Sequence, residues 1–260
     1  MSNNIDEVSR YVSEIASKVS VHGKVGLYDL DAMALAFKEI EGLDALAIEA
    51  VTRNLRNSAV KQILIQAGEP ALKYLEPALN SPDREIREQA VTALGQIGAP
   101  ALGILTSTLQ HDPDEHIQIS AAYALAHLGE DGIGVLREAL HGDNAQWRIA
   151  SVYGLSGAIS TAQFNRHLGD EHEPMIDLIL KCLDDTSSRV RARAIGILGD
   201  IKRISLDSLD KALDDQDSEV QKNALLALYK LDINASNAYV LVKAFEDADG
   251  GISTLAIEQL

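Results

Sequence analysis

The stretch PALKYLEPALNSPDREIREQAVTALGQIGA (70–99) runs directly into PALGILTSTLQHDPDEHIQISAAYALAHLGE (100–130). The two align from the opening Pro-Ala-Leu to the closing Gly. Each carries two apolar stripes of helical period. Leu72, Leu75 and Leu79, matched by Leu102, Leu105 and Leu109, mark a first helix. Ile86, Ala90, Leu94 and Ile97, matched by Ile117, Ala121, Leu125 and Leu128, mark a second. Ser81-Pro82 and Asp112-Pro113 predict an N-cap followed by a Pro in the first turn. Asp112 and Glu115 have capping-box spacing. Gly98 and Gly129 stand where a helix ends on a left-handed residue. Pro77 inside a first helix predicts a kink.

The pattern continues outward. DGIGVLREALHGDNAQWRIASVYGLSGAIS (131–160), PMIDLILKCLDDTSSRVRARAIGILGDIKR (174–203) and ISLDSLDKALDDQDSEVQKNALLALYKLDIN (204–234) repeat it, and a weaker copy closes the chain. Equivalent ends fall at Gly68, Gly98, Gly129, Ile159, Lys202 and Asp232. The steps are near 30 residues, except one lengthened by about a dozen, which contains GDEHEPMID (169–177). A single hairpin of this kind cannot bury its apolar stripe; stacking on neighbours does so and gives an α-solenoid.

These units resemble HEAT repeats, and their short form is similar to the HEAT-like repeats of the phycobilisome-lyase type. The resemblance covers roughly residues 44–260. It implies an all-α, right-handed solenoid of helical hairpins whose second helices line the concave side. We assign residues 43–260 to about six to seven repeats, with an insertion near 161–173. Residues 1–42 fall outside the pattern. Ile5, Val8, Val12, Ile15 and Val19 form one helical stripe and LDAMALAFKEIEG (30–42) another, which predicts an N-terminal helical cap.

Composition narrows the function classes. Apolar residues make up 46% of the chain and aromatic residues 4%, so the core is mostly aliphatic. The net charge of −16 argues against sequence-independent nucleic-acid binding, which needs Lys and Arg to displace counterions. It also argues against a polybasic membrane contact and favours a basic protein partner. No stretch reaches the apolar length of a membrane span. One cysteine, Cys182, allows no intrachain disulfide. A cytoplasmic setting is expected.

Function then depends on which residues face outward. With Ile86 as position zero of a second helix, core residues stand at zero, +4, +8 and +11. Positions +2, +6 and +9 point the other way at about 100° per residue. In successive repeats these are Glu88, Thr92, Gly95; Ile119, Tyr123, Ala126; Ile149, Tyr153, Ser156; Ala192, Gly196, Gly199; and Lys222, Leu226, Tyr229. Two repeats thus present an Ile-Tyr pair in register, and the small residues that follow would let a partner approach closely. Gln118, His127, Arg148 and Arg191 are the polar neighbours. The expected function is a non-enzymatic scaffold that binds a protein partner on Ile119, Tyr123, His127, Arg148, Ile149, Tyr153, Leu226 and Tyr229.

Other chemistry is weaker. His167, Asp170, His172 and Glu173 have ligand-type side chains, but the Gly and Pro around them predict an irregular connector rather than a preorganised metal site. Deoxyhypusine hydroxylase carries His-Glu metal pairs on such repeats; here only His172-Glu173 has that order, so the ligand set is not carried over. The lyase-type resemblance implies an alternative, an accessory factor handling a bilin or a metal centre, with bilin propionates facing Arg148. Arg189, Arg191 and Arg193 alternate along one helix, so they point in different directions and are expected to pair with Asp184, Asp185 and Asp214. Cys182 precedes the core residue Leu183 and reads as a structural thiol. The final unit stops at Leu260, at position +8, which raises self-association through the C-terminal end as an expectation.

Overall fold

The structure is a computed structural model that describes residues 5–19, 29–43, 46–164 and 172–231. It divides into two compact units, Met1–Val135 and Leu136–Leu260. The described residues form fourteen α-helices and no strand. The closing copy of the repeat, with its expected C-terminal self-association surface, lies outside them, as do His167 and Asp170 of the insertion.

The first unit holds α1 (Ile5–Ser17), α2 (Leu30–Glu41), α3 (Ala47–Asn54), α4 (Ser58–Ala67), α5 (Leu72–Ala78), α6 (Arg84–Ile97), α7 (Leu102–His111) and α8 (Glu115–Ala126). Helix α9 (Glu130–His141) follows. Each hairpin lays its helices on those of the next. First helices α1, α3 and α5 pack in one series, and second helices α2, α4, α6 and α8 in another. The α1–α2 hairpin therefore stacks by the rule the repeats use. The core lies between the two series, where Ile63, Leu64, Leu75, Leu94, Leu105, Ile117 and Leu125 are all fully buried. Burying one such side chain stabilises by roughly 1.5–3 kcal/mol.

The second unit holds α10 (Ala145–Phe164), α11 (Glu173–Lys181), α12 (Ser188–Asp200), α13 (Leu206–Leu213) and α14 (Ser218–Lys230). Again second helices pack on second helices, α10 on α12 and α12 on α14.

Local chemistry explains the hairpin ends. Gly68, Gly98 and Gly129 have φ of 68°, 91° and 73°, the conformation expected for them. The inner turns differ from expectation. The N-caps are Asp83 and Asp114, whose carboxylates accept from Glu85 N at 3.0 Å and His116 N at 2.9 Å. Ser81 and Asp112 lie two residues earlier and accept from the cap residues' own N–H groups, at 3.2 and 2.9 Å. Pro82 and Pro113 hold the residue before them extended, so the turn spends one polar side chain before the helix starts. Pro77 sits in the last turn of α5, which ends at Ala78; the helix stops there.

A polar ladder ties hairpins together. The residue after position zero reaches back to a carbonyl six residues earlier: Arg87 to Ser81 O, Gln118 to Asp112 O, Arg148 to Gly142 O, Arg191 to Asp185 O and Gln221 to Asp215 O, all at 2.7–3.0 Å. Where that residue is Arg, its fork also takes the Asp of a following turn: Arg87–Asp112, Arg148–Asp185 and Arg191–Asp215. The same Asp orders its own turn, with Asp112, Asp185 and Asp215 each accepting a backbone N–H two residues on. One carboxylate thus serves the turn and the stack together.

Candidate functional site

The outward strip of the second helices is narrower than a helical wheel predicts, because each second helix has others along its flanks. In the first unit, Ile119 and Tyr123 on α8 are half-buried and His127 is exposed. The His127 ring meets Tyr123 O at 2.7 Å through Nδ1. Ala126, expected as open space, is buried. In the second unit, Tyr153 on α10 is half-buried, and on α14 Leu226 is half-buried while Tyr229 is 48% exposed.

Two expected anchors are not available. Ile149 is 3% exposed, so it belongs to the packed interior. Arg148 is 8% exposed and grips Asp185 with two bonds, Nε to Oδ2 at 2.8 Å and Nη2 to Oδ1 at 2.9 Å. Its remaining donors go to Gly142 O and Thr186 Oγ1. Hydrogen bonding to Asp185 raises the Arg148 pKa further, so it stays charged and committed. The small residues are also spent inside the fold. A Cβ added at Gly199 would meet Ala227 Cβ at 2.4 Å and Cα at 2.8 Å. In the first unit a Cβ on Gly95 would meet Ala124 Cβ at 2.9 Å. The two glycines occupy equivalent positions in their repeats, and so do the two alanines. The small residues admit the neighbouring helix, not a partner.

The Arg series of α12 separates by direction, as its alternation predicts, and Arg191 meets Asp185 through its backbone carbonyl. Arg191 pairs with Asp215. Arg193 lays its guanidinium over the Tyr153 ring, 3.8 Å from the centroid. Arg189 reaches Gln146 Oε1 at 3.5 Å.

Sequence reasoning missed a groove in the second unit. It encloses about 870 Å³. Leu180, Ile195 and Val220 contribute apolar surface, and Asp184, Asp207 and Asp215 contribute carboxylates. The runs Asp184-Asp185 and Asp214-Asp215 were its visible signal. Beside it, the Asp217 carboxyl is held below the usual carboxylate range, first by the Ser188 hydroxyl and then by the Glu219 N–H. A lowered folded-state pKa gives stability that is complete above the unfolded value near ~3.9 and is lost as pH falls through the folded value. Ser188→Ala is expected to move the Asp217 titration, and the acid limb of the second unit's unfolding, to higher pH. A carboxyl-carbon NMR titration of Asp217 checks this, and an unmoved curve refutes it.

No group of three or more His, Cys, Asp or Glu among the described residues could hold a metal. Glu173 pairs with Arg203. Cys182 is 6% exposed, its thiol donates to Leu178 O at 3.3 Å, and burial pushes it up to about 12. It is a structural thiol, as read from sequence.

The profile of HEAT repeats matches residues 46–126, 72–156 and 176–260, most of the chain. The chain belongs to the HEAT-repeat family. Among solved structures, this HEAT-repeat chain is similar to a Kap121p mutant, with 15% identity and a TM-score of 0.54 over 98% of this chain and 34% of that one. It is also similar to the CpcE–CpcF complex of phycocyanin lyase from Nostoc sp. PCC7120, with 21% identity and a TM-score of 0.40 over 59% of this chain and 99% of that one. A designed armadillo repeat protein in complex with the peptide (KR)4 shares 20% identity, with a TM-score of 0.42 over 89% of this chain and 98% of that one. No curated protein matches. Among the described residues no helix is long and apolar enough to cross a membrane.

Proposed function

We propose that this HEAT-repeat chain is a non-enzymatic interaction scaffold that docks a protein partner on the outward strip of its second helices. The observation that carries the reading is the exposure left on that strip after packing. Ile119, Tyr123 and His127 serve the first unit, and Tyr153, Leu226 and Tyr229 the second. Tyr rings supply large contact area at low entropic cost. Burial of the single thiol suits a reducing, cytoplasmic setting. The net charge of −16 favours encounter with basic partners, and the carboxylate-bearing groove is a surface that would hold one. Arg148, the residue that would meet bilin propionates, is spent on Asp185, so no second reading is drawn.

The test is affinity purification with crosslinking, using wild type and the variant carrying Tyr123→Ala and Tyr229→Ala. Protein captured by wild type and lost from the variant supports the proposal. Capture of nothing, or the same proteins with both baits, defeats it. Sedimentation of the purified chain reads self-association directly.

A further inference from the structure

Helix α2 opens the series of second helices, and its outer face is not the polar one that an uncovered hairpin of a solenoid needs to stay soluble. Helices α4 and α6 each pack between two second helices, whereas α2 packs on α4. Its inward half holds Met33, Ala36, Phe37 and Ile40, all buried. Its other half holds Leu30, Asp31, Ala34, Leu35, Lys38 and Glu39, all exposed. Leu30 and Leu35 are 60% and 62% exposed. The other exposed large apolar side chains among the described residues are Tyr11, Ile48 and Tyr229, and the first two of these also stand on α1 and α3. Tyr11 lies on the α1 flank of α2, its hydroxyl 3.4 Å from Glu39 Oε2. Apolar surface gathered in this way marks an interaction face.

The charges on the face say what fits it. Asp31, Leu35 and Lys38 are spaced by four and three residues, so they share one stripe along α2. Among the described residues neither Asp31 nor Lys38 joins an ion pair. Glu39, beside the stripe, is paired with Lys18. The stripe is therefore neutral in a chain of net charge −16, and it favours neither a basic nor an acidic partner. It is instead complementary to itself. A twofold axis passing between Ala34 and Leu35 sets two α2 helices antiparallel. Asp31 and Lys38 lie about 10 Å apart along the helix, at equal distances on either side of that axis. Asp31 of each copy then faces Lys38 of the other, and the two Leu35 side chains meet beside the axis. A parallel pair would set Asp31 against Asp31 and Lys38 against Lys38, which is unfavourable.

We infer that the exposed face of α2 is a homodimer interface, across which a second copy of this chain packs antiparallel through Leu35 and two reciprocal Asp31–Lys38 pairs. An isologous contact of this kind closes at two copies. The contact strip is about 18 Å long and about 10 Å wide, the size of one short helix face. That is well short of the roughly 800 Å² per partner of a standard interface, so the dimer is weak and concentration-dependent. It uses none of the residues assigned to partner binding and does not rest on the scaffold reading. It is also a different surface from the C-terminal one expected from the sequence.

The experiment is sedimentation of the full chain over a series from micromolar to near-millimolar concentration. Wild type is expected to pass from monomer to dimer and stop there. Asp31→Lys and Lys38→Asp are each expected to weaken the dimer by about tenfold or more, since each replaces two attractive contacts with two repulsive ones. Leu35→Glu is expected to do the same by setting two carboxylates at the axis. The variant carrying both Asp31→Lys and Lys38→Asp is expected to dimerise again, and so is an equimolar mixture of the two single variants. Circular dichroism verifies that every variant is folded. A wild type that stays monomeric throughout overturns the inference, as does growth beyond the dimer, which would mean head-to-tail stacking. A dimer that neither charge swap weakens, or one that the mixture and the double variant fail to restore, overturns it too. The scaffold reading is tested apart from this, by what the crosslinked purification captures.

Discussion

Gly132→Ala is expected to destabilise the first unit by about 2 kcal/mol or more, although alanine is the better helix former. Gly132 is the third residue of α9, and a Cβ built there would lie 1.9 Å from the Leu125 carbonyl oxygen and 2.7 Å from its carbon. Two effects oppose each other. Ala for Gly inside a helix gains about 1 kcal/mol by propensity. Overpacking costs about 1–3 kcal/mol and occasionally more. Here the obstructing atoms are backbone of α8, which cannot swing aside as a side chain would, so the clash wins. Gly134 provides the control in the same helix. Nothing lies within 4 Å of a Cβ added there, so Gly134→Ala is expected to stabilise by about 0.5–1 kcal/mol. Denaturant midpoints at unchanged slope read both substitutions. A gain at both positions would sink the close approach of α8 and α9.

The fold was legible because its signals are local and repeat. Leu75, Leu94, Leu105 and Leu125 announce their burial by spacing alone, and Gly98 and Gly129 announce their turns. The outward strip was legible only in part, because a helical wheel treats one helix at a time. It sees the core side of α10 but not the helix packed along its flank, so Ile149 read as exposed and is 3% exposed. Gly199 fails for the same reason. Its missing Cβ looks like room for a partner until Ala227 is placed against it. The caps slipped from Asp112 to Asp114 because both carboxylates accept a backbone N–H two residues on, and only the backbone shows which of those N–H groups belongs to a helix. Arg193 carried a visible signal, a third Arg in RVRAR (189–193), but its stacking on Tyr153 is a three-dimensional fact.

Arg148→Ala is expected to cost the second unit about 3–5 kcal/mol, the range for breaking one side of a buried ion pair. The Arg148 and Asp185 side chains are 9% and 10% exposed. The guanidinium serves both Asp185 oxygens, Gly142 O and Thr186 Oγ1, so its loss strands several acceptors at once. Arg148→Lys is expected to recover little, since a single ammonium cannot reproduce a planar fork on so many acceptors. Asp185→Ala should cost a similar amount by leaving the guanidinium buried without its carboxylate. The double variant should cost less than the sum, because the two residues act as one unit. The exposed pair Lys211–Asp184 is the comparison, with side chains 74% and 71% exposed; Lys211→Ala should change stability by less than about 1 kcal/mol. Hydrogen exchange localises the effect, with amides of α10 and α12 losing protection in Arg148→Ala while those of α6 and α8 keep theirs. If Arg148→Ala proves as mild as Lys211→Ala, the ladder does not hold the hairpins together. Arg148 would then return as a residue free to meet a ligand.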